Sequence, residues 1–397
     1  MESAIQFGAG NIGRGFMGQL FWEAGLATAH VDNDPRLVEL INRRRGYTLK
    51  LLDAYTVSET DLQIGGIEAV HTADVPGVAR RFAAAQAAGT AVGVKSLAVI
   101  APLIAIGIHE RMKSNPRPLD IYMCENSLDA AGTLREAVFT RLDAPSRSWA
   151  DANIGFVGTS VARMVPPPGR FAGEDPLLVV ADAFHELPYD ASATRASPLA
   201  VRGMRGVSNF PAEVERKLFT HNLGHAALGY LGHLKGYVHV HEPFADPELA
   251  SVFDGALDET SRALLSKHAG DLDPAEHAAV RKDVRVRFGN PLLGDMIRRV
   301  ARDPMRKLGP GDRLVGSIRL CLSQGTFPAC VCRVCAAALL YDAPDDPDAV
   351  HLQELITRTG VEATLLSVSG VDPASPEGRE VISSFYELAS RRRSPAG

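Results

Sequence analysis

The sequence contains no apolar run of about 18 residues, the length needed to cross a membrane. Its start, Met1-Glu2-Ser3, has no basic segment of the kind that opens a signal peptide, and the apolar strand after it breaks at Gly8. The net charge of −5 argues against sequence-independent binding of nucleic acid. We therefore expect a cytoplasmic globular protein with neither a membrane nor a nucleic acid as partner.

Cysteine is also scarce, with five residues in the chain, and three of these form the cluster Cys330-x-Cys332-x-x-Cys335. No second cluster lies nearby to complete a four-ligand metal site. The cluster leads into Ala336–Leu340, which predicts a buried helix in which cysteine acts as a small apolar residue. Reduced structural thiols are favoured over a metal site.

The length of 397 residues exceeds one ordinary domain of about 100 to 200 residues, so two domains are expected. The first part of the chain alternates strand and helix patterns, which is typical of a parallel sheet covered by helices. From about Arg195 onward, long helical patterns dominate. We predict an α/β Rossmann-type domain over residues 1–195 and a mostly α-helical substrate or catalytic domain over residues 196–397, with a disordered tail from Arg391.

A glycine-rich turn follows the first predicted strand, Ala4–Phe7, and opens a helix. The pattern G-x-G-x-x-G in this context indicates dinucleotide binding: its first glycine permits the turn, the second admits a pyrophosphate and the third lets helix and strand pack closely. Free N–H groups at the helix start would face the phosphates. The predicted cofactor contacts are Phe7, Gly8, Ala9, Gly10, Asn11, Ile12, Gly13, Arg14 and Gly15.

Asp32 ends the second predicted strand, Leu26–Val31, and lies 24 residues after Gly8. A carboxylate at this point can accept hydrogen bonds from the adenosine ribose and would repel a 2′-phosphate. Asp32 therefore predicts NAD rather than NADP as cofactor. The alternative is a polar turn that binds no ligand.

Asn126 follows a later strand, Asp120–Cys124, which comes after a predicted helix at Val75–Ala88 and a predicted strand at Thr90–Val94. Ligands bind beyond the carboxyl ends of strands in open α/β sheets, so Asn126 is a candidate for the cofactor or substrate crevice. Its alternative role is to cap the helix predicted over Leu128–Arg141.

Four polar side chains share one side of a helix predicted around residues 215–225. At about 100° per residue, Lys217, His221, Asn222 and His225 fall within a sector of roughly 140°. A lysine whose pKa is lowered by burial or a neighbouring cation can transfer protons, and an asparagine amide can hold an oxygen as charge develops on it. These residues predict a proton-transfer site.

Two other interpretations of this helix are open. Lys217 can be a solvated surface residue and His225 an ordinary packed histidine. Alternatively, His221 and His225 have the i, i+4 spacing of zinc-binding helices, although the helix offers no third ligand.

A basic run contains Arg298, Arg299, Arg302, Arg306 and Lys307, and Arg313 follows shortly after it. Such a run is commonly a solvated face. The alternative is a clamp for a substrate phosphate, which the forked donors of arginine suit. Arg306 and Arg313 are then the expected contacts.

Several of these pieces together resemble the polyol-specific long-chain dehydrogenases, the mannitol dehydrogenase family. The resemblance is carried by Phe7–Phe16, Cys124–Asn126, Val214–Thr220, Pro304–Leu308 and Gly311–Leu314. The family signature K-x4-N-x2-H is met by Lys217, Asn222 and His225.

The resemblance implies zinc-independent, NAD-dependent hydride transfer. Lys217 would be the general acid and base, Asn222 and Asn126 would hold the reacting oxygen, and His225 would orient the substrate. In one direction the reaction would reduce fructose 6-phosphate to mannitol 1-phosphate. The family also implies a monomer.

Other functions remain open at this point. The substrate could be an unphosphorylated polyol or a hexuronate, and a protein of another class, a non-catalytic dinucleotide-binding sensor, could keep the same fold. The chain departs from the family pattern at Gly158 and Ala162, where aspartates are usual, and at His221, where a small apolar or neutral residue is commoner. These departures bear on the substrate more than on the type of reaction.

Overall fold

A computed structural model describes residues 2–127, 129–173 and 175–393 of the chain. The chain forms two compact units, Met1–Glu213 and Val214–Gly397. The first is α/β and the second is helical, which confirms the predicted fold class. Residues 196–213, which the sequence analysis grouped with the second domain, lie in the first unit because the strand Met204–Val207 pairs there with Leu187–Asp190.

The first unit contains all the strands of the described chain. In order they are β1 (Ser3–Phe7), β2 (Ala27–Asp32), β3 (Gly46–Asp53), β4 (Ser58–Gly65), β5 (Ile67–His71), β6 (Ala87–Thr90), β7 (Leu119–Met123), β8 (Ile154–Gly158), β9 (Val179–Asp182), β10 (Leu187–Asp190) and β11 (Met204–Val207). Six of them form a parallel sheet in the order β5-β2-β1-β6-β7-β8. The order reverses direction between β1 and β6, which is where doubly wound sheets bind ligands.

Helices cover both faces of this sheet, as a buried parallel sheet requires. The helices of the first unit are α1 (Gly18–Glu23), α2 (Pro35–Arg44), α3 (Val75–Ala84), α4 (Leu97–Ser114), α5 (Ala130–Phe139), α6 (Ala144–Asn153) and α7 (Phe210–Lys217), the last of which ends in the second unit. Ile5 and Phe7 of β1 enter the core shared with α3 and α4, whereas Ala4 enters the core on the α1 side. This alternation follows from the two-residue period of a strand.

A smaller sheet, β4-β3-β9, flanks the glycine-rich turn. Strands β3 and β4 form an antiparallel hairpin. Tyr47 and Leu49 of β3 pack with Val165 and Val179 in a third core of the unit. The sheet thereby provides a rigid support behind the turn.

The predicted boundary between helix and strand near residue 88 is wrong. Helix α3 ends at Ala84, and Ala87–Thr90 is a buried strand hydrogen-bonded between β1 and β7. Alanine favours helices, but the pairing available at the centre of a sheet outweighs that preference.

The helices of the second unit continue the numbering. They are α8 (Leu223–Leu234), α9 (Pro247–Lys267), α10 (Pro274–Phe288), α11 (Ile297–Ala301), α12 (Pro304–Lys307), α13 (Val315–Ser323), α14 (Ala329–Leu339), α15 (Pro347–Thr359), α16 (Val361–Ser369) and α17 (Pro376–Arg393). Many helices of both units begin with an aspartate cap followed within two residues by proline, a combination that satisfies free N–H groups and fixes the first turn. The caps of this kind are Asp34, Asp74, Asp143, Asp246, Asp273 and Asp346.

Helix α14 lies at the centre of the second unit and packs against α8, α9 and α17. Cys332 and Cys335 are fully buried on it, which confirms the predicted buried helix, and all five thiols are unbridged. Helix α17 extends to Arg393, so the expected disorder from Arg391 is wrong for residues 391–393. Arg391 pairs there with Glu248 and Glu387 at 2.7 Å each, while residues 394–397 lie outside the described part of the chain.

No helix among the described residues is both long enough and apolar enough to span a membrane.

Candidate active site

The glycine-rich turn after β1 has the geometry of a dinucleotide cradle. Gly8 has a φ of +90°, which disfavours other residues, and a Cβ at Gly13 would overlap the carbonyl oxygen of Gly8. In contrast, a Cβ at Gly10 would meet nothing within 4 Å. The first and third glycines are thus required by the protein itself, while the second leaves open space where a phosphate group can approach the backbone.

Asp32 holds the same turn from the end of β2. One carboxylate oxygen, Oδ2, accepts a hydrogen bond from the Ala9 amide at 2.8 Å, and the other accepts one from the Asp34 amide at 3.0 Å. The side chain is partly exposed, and a carboxylate has about four lone-pair sites, so it can still accept from a ribose hydroxyl.

Arg14 is buried and directs its guanidinium toward the protein. Its Nε donates to the Ala9 carbonyl and its Nη1 to the Leu177 carbonyl, each at 2.6 Å. The hydroxyl of Tyr47 in turn donates to the Arg14 carbonyl at 2.5 Å. Arg14 therefore ties the glycine turn to the supporting segment, and its backbone rather than its side-chain charge is presented at the turn.

The carboxyl ends of β6 and β7 are joined by Glu125. Its carboxylate accepts from the Thr90 hydroxyl at 2.6 Å and from the Val92 amide at 3.0 Å, and burial raises its pKa. Asn126 is exposed immediately beyond it. The alternative role of Asn126 as a helix cap is wrong, because Asp129 caps α5 by accepting from the Gly132 amide.

The predicted proton-transfer stretch is helical, but it is not a uniform α-helix. Between α7 and α8, residues Leu218–Asn222 form a π turn in which the Leu223 amide donates to the Leu218 carbonyl, five residues back. In such a turn, residues five apart lie nearly above one another. Lys217 and Asn222 have this spacing, so the turn aligns them more closely than the α-helical period predicts.

The side chains on this turn differ in their surroundings. Lys217 is partly exposed, and Asn222 is 8% exposed with no side-chain hydrogen bond to any described residue. The ring of His221 packs edge-on against Phe288 with centroids 5.0 Å apart, and its Nδ1 atom is buried without a partner among the described residues. Burial, followed by the positive charges of Arg287, Lys217 and Arg313, lowers the pKa of His221 well below its usual value. His221 is therefore a neutral packed ring.

His225 is held at two points. Its Nε2 lies 3.0 Å from Oδ2 of Asp295, and its ring stacks on Phe288 with centroids 4.5 Å apart and an angle of 14° between the planes. Burial lowers the pKa of His225 despite the opposing effect of Asp295. A fixed, neutral imidazole beside Lys217 and Asn222 can accept or donate one hydrogen bond to a bound hydroxyl.

The side chains of the basic run have two kinds of contact: several arginines form ion pairs, and one lysine holds the backbone. Nη1 of Arg306 and Nε of Arg313 contact the two carboxylate oxygens of Asp312 at 3.0 and 2.7 Å, so the two predicted phosphate contacts converge on one anion. Arg298 instead has a side chain that is 64% exposed and pairs with Asp345 at the surface.

Lys307 belongs to the same run but is buried. Its ammonium donates to the Val300 carbonyl at 2.5 Å and to the Arg302 carbonyl, which ends α11. Burial, followed by the charges of Arg313 and Arg306, lowers the pKa of Lys307 to about 7. This residue fixes the backbone between α11 and α12 that carries Arg306.

Within residues 2–127, 129–173 and 175–393, no group of three or more histidine, cysteine, aspartate or glutamate side chains is arranged to hold a metal ion.

Comparison with known proteins covers nearly the whole chain. Residues 2–202 match the profile of the mannitol dehydrogenase Rossmann domain, and residues 211–372 match that of the mannitol dehydrogenase C-terminal domain. A relative from Brevibacillus brevis, mannitol-1-phosphate 5-dehydrogenase, is 37% identical over 373 residues, which are 94% of this chain and 95% of the relative. The chain belongs to the mannitol dehydrogenase family. It is accordingly an oxidoreductase.

Two solved structures of dehydrogenases share the fold. The similarity to D-sorbitol dehydrogenase in substrate-free form has a TM-score of 0.80 at 16% identity and covers 98% of this chain and 93% of that one. A Pseudomonas fluorescens mannitol 2-dehydrogenase, in a ternary complex with NAD and D-mannitol, gives a TM-score of 0.78 at 18% identity and covers 99% and 92% of the two chains.

Sequence reasoning did not identify Asp295, placed Lys307 only in the basic run, and gave Glu125 no role of its own. Asp295 meets His225 across 70 positions of sequence, so no local spacing could indicate it. A signal for Lys307 was its place in the basic run. The chain has Gly158 where the family usually has an aspartate. A Cβ at this position would lie 2.7 Å from the Phe210 ring, so the local packing favours glycine.

Proposed function

We propose that the chain is an NAD-dependent dehydrogenase that interconverts mannitol 1-phosphate and fructose 6-phosphate without a catalytic metal. The observation that carries this proposal is the 37% identity, over 94% of the chain, to a protein named mannitol-1-phosphate 5-dehydrogenase. The Lys217, Asn222 and His225 set and the convergence of Arg306 and Arg313 support it.

The turn after β1 fits a dinucleotide. The open space at Gly10 accommodates the pyrophosphate against backbone N–H groups, and Asp32 is available to a ribose hydroxyl but repels a 2′-phosphate. When bound, NAD supplies the acceptor for a hydride. A structural relative was solved as a ternary complex with NAD, which favours the same cofactor here.

The second unit supplies the proton chemistry. Lys217 takes the proton from the alcohol oxygen as the hydride leaves the adjacent carbon, and returns it in the reverse reaction. Asn222 donates a hydrogen bond from its side-chain amide to this oxygen while negative charge develops on the oxygen. The amide is available because it has no competing hydrogen bond to a described residue. His225 orients a neighbouring hydroxyl, and Asn126 is proposed as a further donor to the oxygen on the strength of the family resemblance.

Arg306 and Arg313 are the proposed phosphate contacts. Both already face an anion, the Asp312 carboxylate, so their geometry suits a second one with more charge. Lys307 holds the backbone beneath Arg306 through the carbonyls at the end of α11. The proposed clamp thus has a backbone that Lys307 holds in place and one partly exposed guanidinium, that of Arg306.

One observation favours a second candidate, a dehydrogenase of an unphosphorylated polyol. Asp312 pairs with both guanidinium groups, and Oδ2 of Asp303 lies 3.6 Å from Nη2 of Arg306. If these pairs persist with substrate bound, the run contributes structure rather than phosphate recognition.

The deciding experiment is steady-state oxidation of NADH with fructose 6-phosphate and with fructose at equal concentration, with a chelator in a parallel series. We expect a preference for the phosphate ester of at least about 10²-fold in kcat/KM, since a site built for a polar group rejects a substrate that lacks it. The rate should be unaffected by the chelator. Equal rates for the two sugars would favour the second candidate, and loss with chelator would reject the metal-free mechanism.

A matched pair of variants tests the clamp in the same assay. Arg306→Ala should raise KM for fructose 6-phosphate about tenfold or more, because a charge-assisted hydrogen bond is worth roughly 1.5 to 3 kcal/mol. Arg298→Ala, which removes a more exposed arginine of the same run, should leave KM unchanged. Equal effects of the two substitutions on KM would indicate that the basic run attracts the phosphate through its overall positive charge rather than through a specific contact.

A further inference from the structure

Asp295 occupies a backbone position that the fold specifies closely. It follows Gly294, whose φ of +57° makes the turn before α11. The Val240 amide donates to the Asp295 carbonyl at 2.9 Å, and the Ile297 amide donates to the Val238 carbonyl at 2.9 Å. The segment on either side of Asp295 is therefore pinned to residues 238–240 by two backbone hydrogen bonds.

The side chain of Asp295 is only 3% exposed and has two partners. Arg299, one helical turn later, donates from Nε to Oδ1 and from Nη2 to Oδ2, both at 2.6 Å. His225 contacts Oδ2 at 3.0 Å through Nε2. A buried carboxylate is thus shared between a forked arginine and an imidazole.

These contacts determine which nitrogen of His225 carries the proton. Burial opposes ionisation of Asp295, but the interactions with His225 and Arg299 outweigh it and hold its pKa far below the usual value. An ionised carboxylate can only accept hydrogen bonds, so Nε2 of His225 must be the donor. The ring also stacks on Phe288, and exchanging its two nitrogens would remove Nε2 from its contact with Asp295.

The other groups around His225 keep the ring neutral. Arg299 on α11 is positively charged near the ring, and Lys307 on α12 adds the partial charge that its pKa of about 7 leaves at neutral pH. The His221 ring lies edge-on at 5.7 Å. With burial, these charges outweigh the attraction of Asp295 for an imidazolium. A neutral ring with a proton on Nε2 has a lone pair on Nδ1.

We propose that Asp295 is a positioning residue that holds His225 as the neutral Nε2–H tautomer, so that Nδ1 is presented as the acceptor for a hydroxyl of the substrate. Arg299 supports this arrangement because it donates to both carboxylate oxygens of Asp295 and so fixes their positions. The assignment of a substrate hydroxyl rests on the proposed function, whereas the tautomer does not.

The tautomer can be measured without any substrate. Full-length protein labelled with 15N-histidine gives distinct long-range 1H–15N patterns for the two neutral tautomers, and the His225 signals are identified by their loss in His225→Gln. We expect the Nε2–H pattern at neutral pH in the wild type and a mixture of tautomers in Asp295→Ala. An Nδ1–H pattern or an imidazolium in the wild type would overturn the proposal.

A double-mutant cycle separates positioning from general support of the fold. Asp295→Ala should lower kcat/KM by about 10²-fold, the cost of a misplaced polar group, with the affinity for NADH unchanged. In a His225→Gln background the same substitution should cost less than about threefold, because it acts only through that ring. Asp151→Asn, which removes the charge of an exposed aspartate paired with Arg135 in the first unit, is the matched control and should have no effect.

Equal losses in the two backgrounds would assign Asp295 a purely structural role and reject the proposal. The cycle is run on whichever sugar the wild type reduces, phosphorylated or not. A failure of fructose 6-phosphate as substrate therefore counts against the proposed function alone, and the 15N pattern still decides the tautomer.

Discussion

The two candidate regions of this molecule contain the same local irregularity. In the first unit a π turn over Gly13–Met17 follows the glycine-rich loop. In the second a π turn over Leu218–Asn222 lies among the proposed proton-transfer residues. In each turn a hydroxyl from a neighbouring element donates to the carbonyl of the second residue: Tyr47 to Arg14 at 2.5 Å and Thr260 to Phe219 at 2.8 Å. Single π turns in α-helices frequently lie at functional sites.

The two turns differ in what they present. The turn around Gly13 offers backbone N–H groups and open space to a ligand. Its one large polar side chain, Arg14, donates instead to two carbonyls of the protein. Around Leu218 the backbone is internal and the useful groups are the side chains of Lys217, Asn222 and His225. We propose that the first region recognises the cofactor by shape and that the second acts by proton transfer.

This difference predicts how each region responds to substitution. A backbone site tolerates changes of side chain but not an added Cβ where the chain closes on itself. A side-chain site loses its chemistry when one functional group is removed, while its fold survives because that group is not part of the core. The predictions below begin with the largest effect.

Lys217→Ala should lower kcat/KM for the reduction of the ketose by about 10² to 10⁴-fold, which is the usual contribution of a general acid or base. The affinity for NADH, followed by protein fluorescence, should stay within about twofold, because the cofactor turn lies in the first unit. Lys282→Ala, at an exposed lysine of α10, is the control and should match the wild type. Near-normal turnover by the Lys217 variant would remove this residue from the mechanism.

Gly13→Ala and Gly10→Ala should separate folding from recognition in the first turn. At Gly13 the methyl group overlaps the Gly8 carbonyl, so we expect a lower melting temperature and a loss of about 1 to 3 kcal/mol in the free energy of unfolding. At Gly10 the methyl group meets no protein atom, so stability should be unchanged while the affinity for NADH falls about tenfold or more.

Gly65→Ala is the control for this pair, because its Cβ also meets nothing within 4 Å but it lies at the end of β4. It should change neither stability nor affinity. If Gly10→Ala binds NADH as tightly as the wild type, the pyrophosphate does not approach the backbone at Gly10.

Much of this architecture could be predicted from the sequence where a pattern is local. The glycine spacing, Asp32 at the end of β2 and the α/β to helical change all follow from short-range rules, and the structure has the corresponding elements. The strand β6 could not be found in this way, because an alanine-rich segment becomes a strand only through its neighbours β1 and β7.

The candidate site shows the same limit. The residue types at Lys217, Asn222 and His225 indicated proton transfer, but the partner of His225 lies 70 residues away and the charge of Arg306 is already shared with Asp312. The π turn was also invisible, because no residue type requires it. Within the turn, the Phe219 carbonyl accepts from a hydroxyl of α9, a contact that only the folded chain brings about.

The smallest and most direct test of the comparison removes the two hydroxyl groups, by Tyr47→Phe and Thr260→Val. Each deletes one hydrogen bond to a buried carbonyl, so each should cost about 1 kcal/mol in the free energy of unfolding. Their functional effects should differ. Tyr47→Phe should weaken NADH binding a few-fold with kcat unchanged, whereas Thr260→Val should lower kcat a few-fold with NADH affinity unchanged, because each loosens a different turn.

The matched control for this pair is Thr359→Val, whose hydroxyl donates to the Leu355 carbonyl within α15, away from both turns. It should affect neither binding nor rate. If Tyr47→Phe and Thr260→Val altered the same kinetic parameter, the division between a turn that recognises and a turn that reacts would be wrong. If Tyr47→Phe weakens only NADH binding and Thr260→Val lowers only kcat, the same π turn serves two separate functions. The residues that flank each turn then determine which function it has.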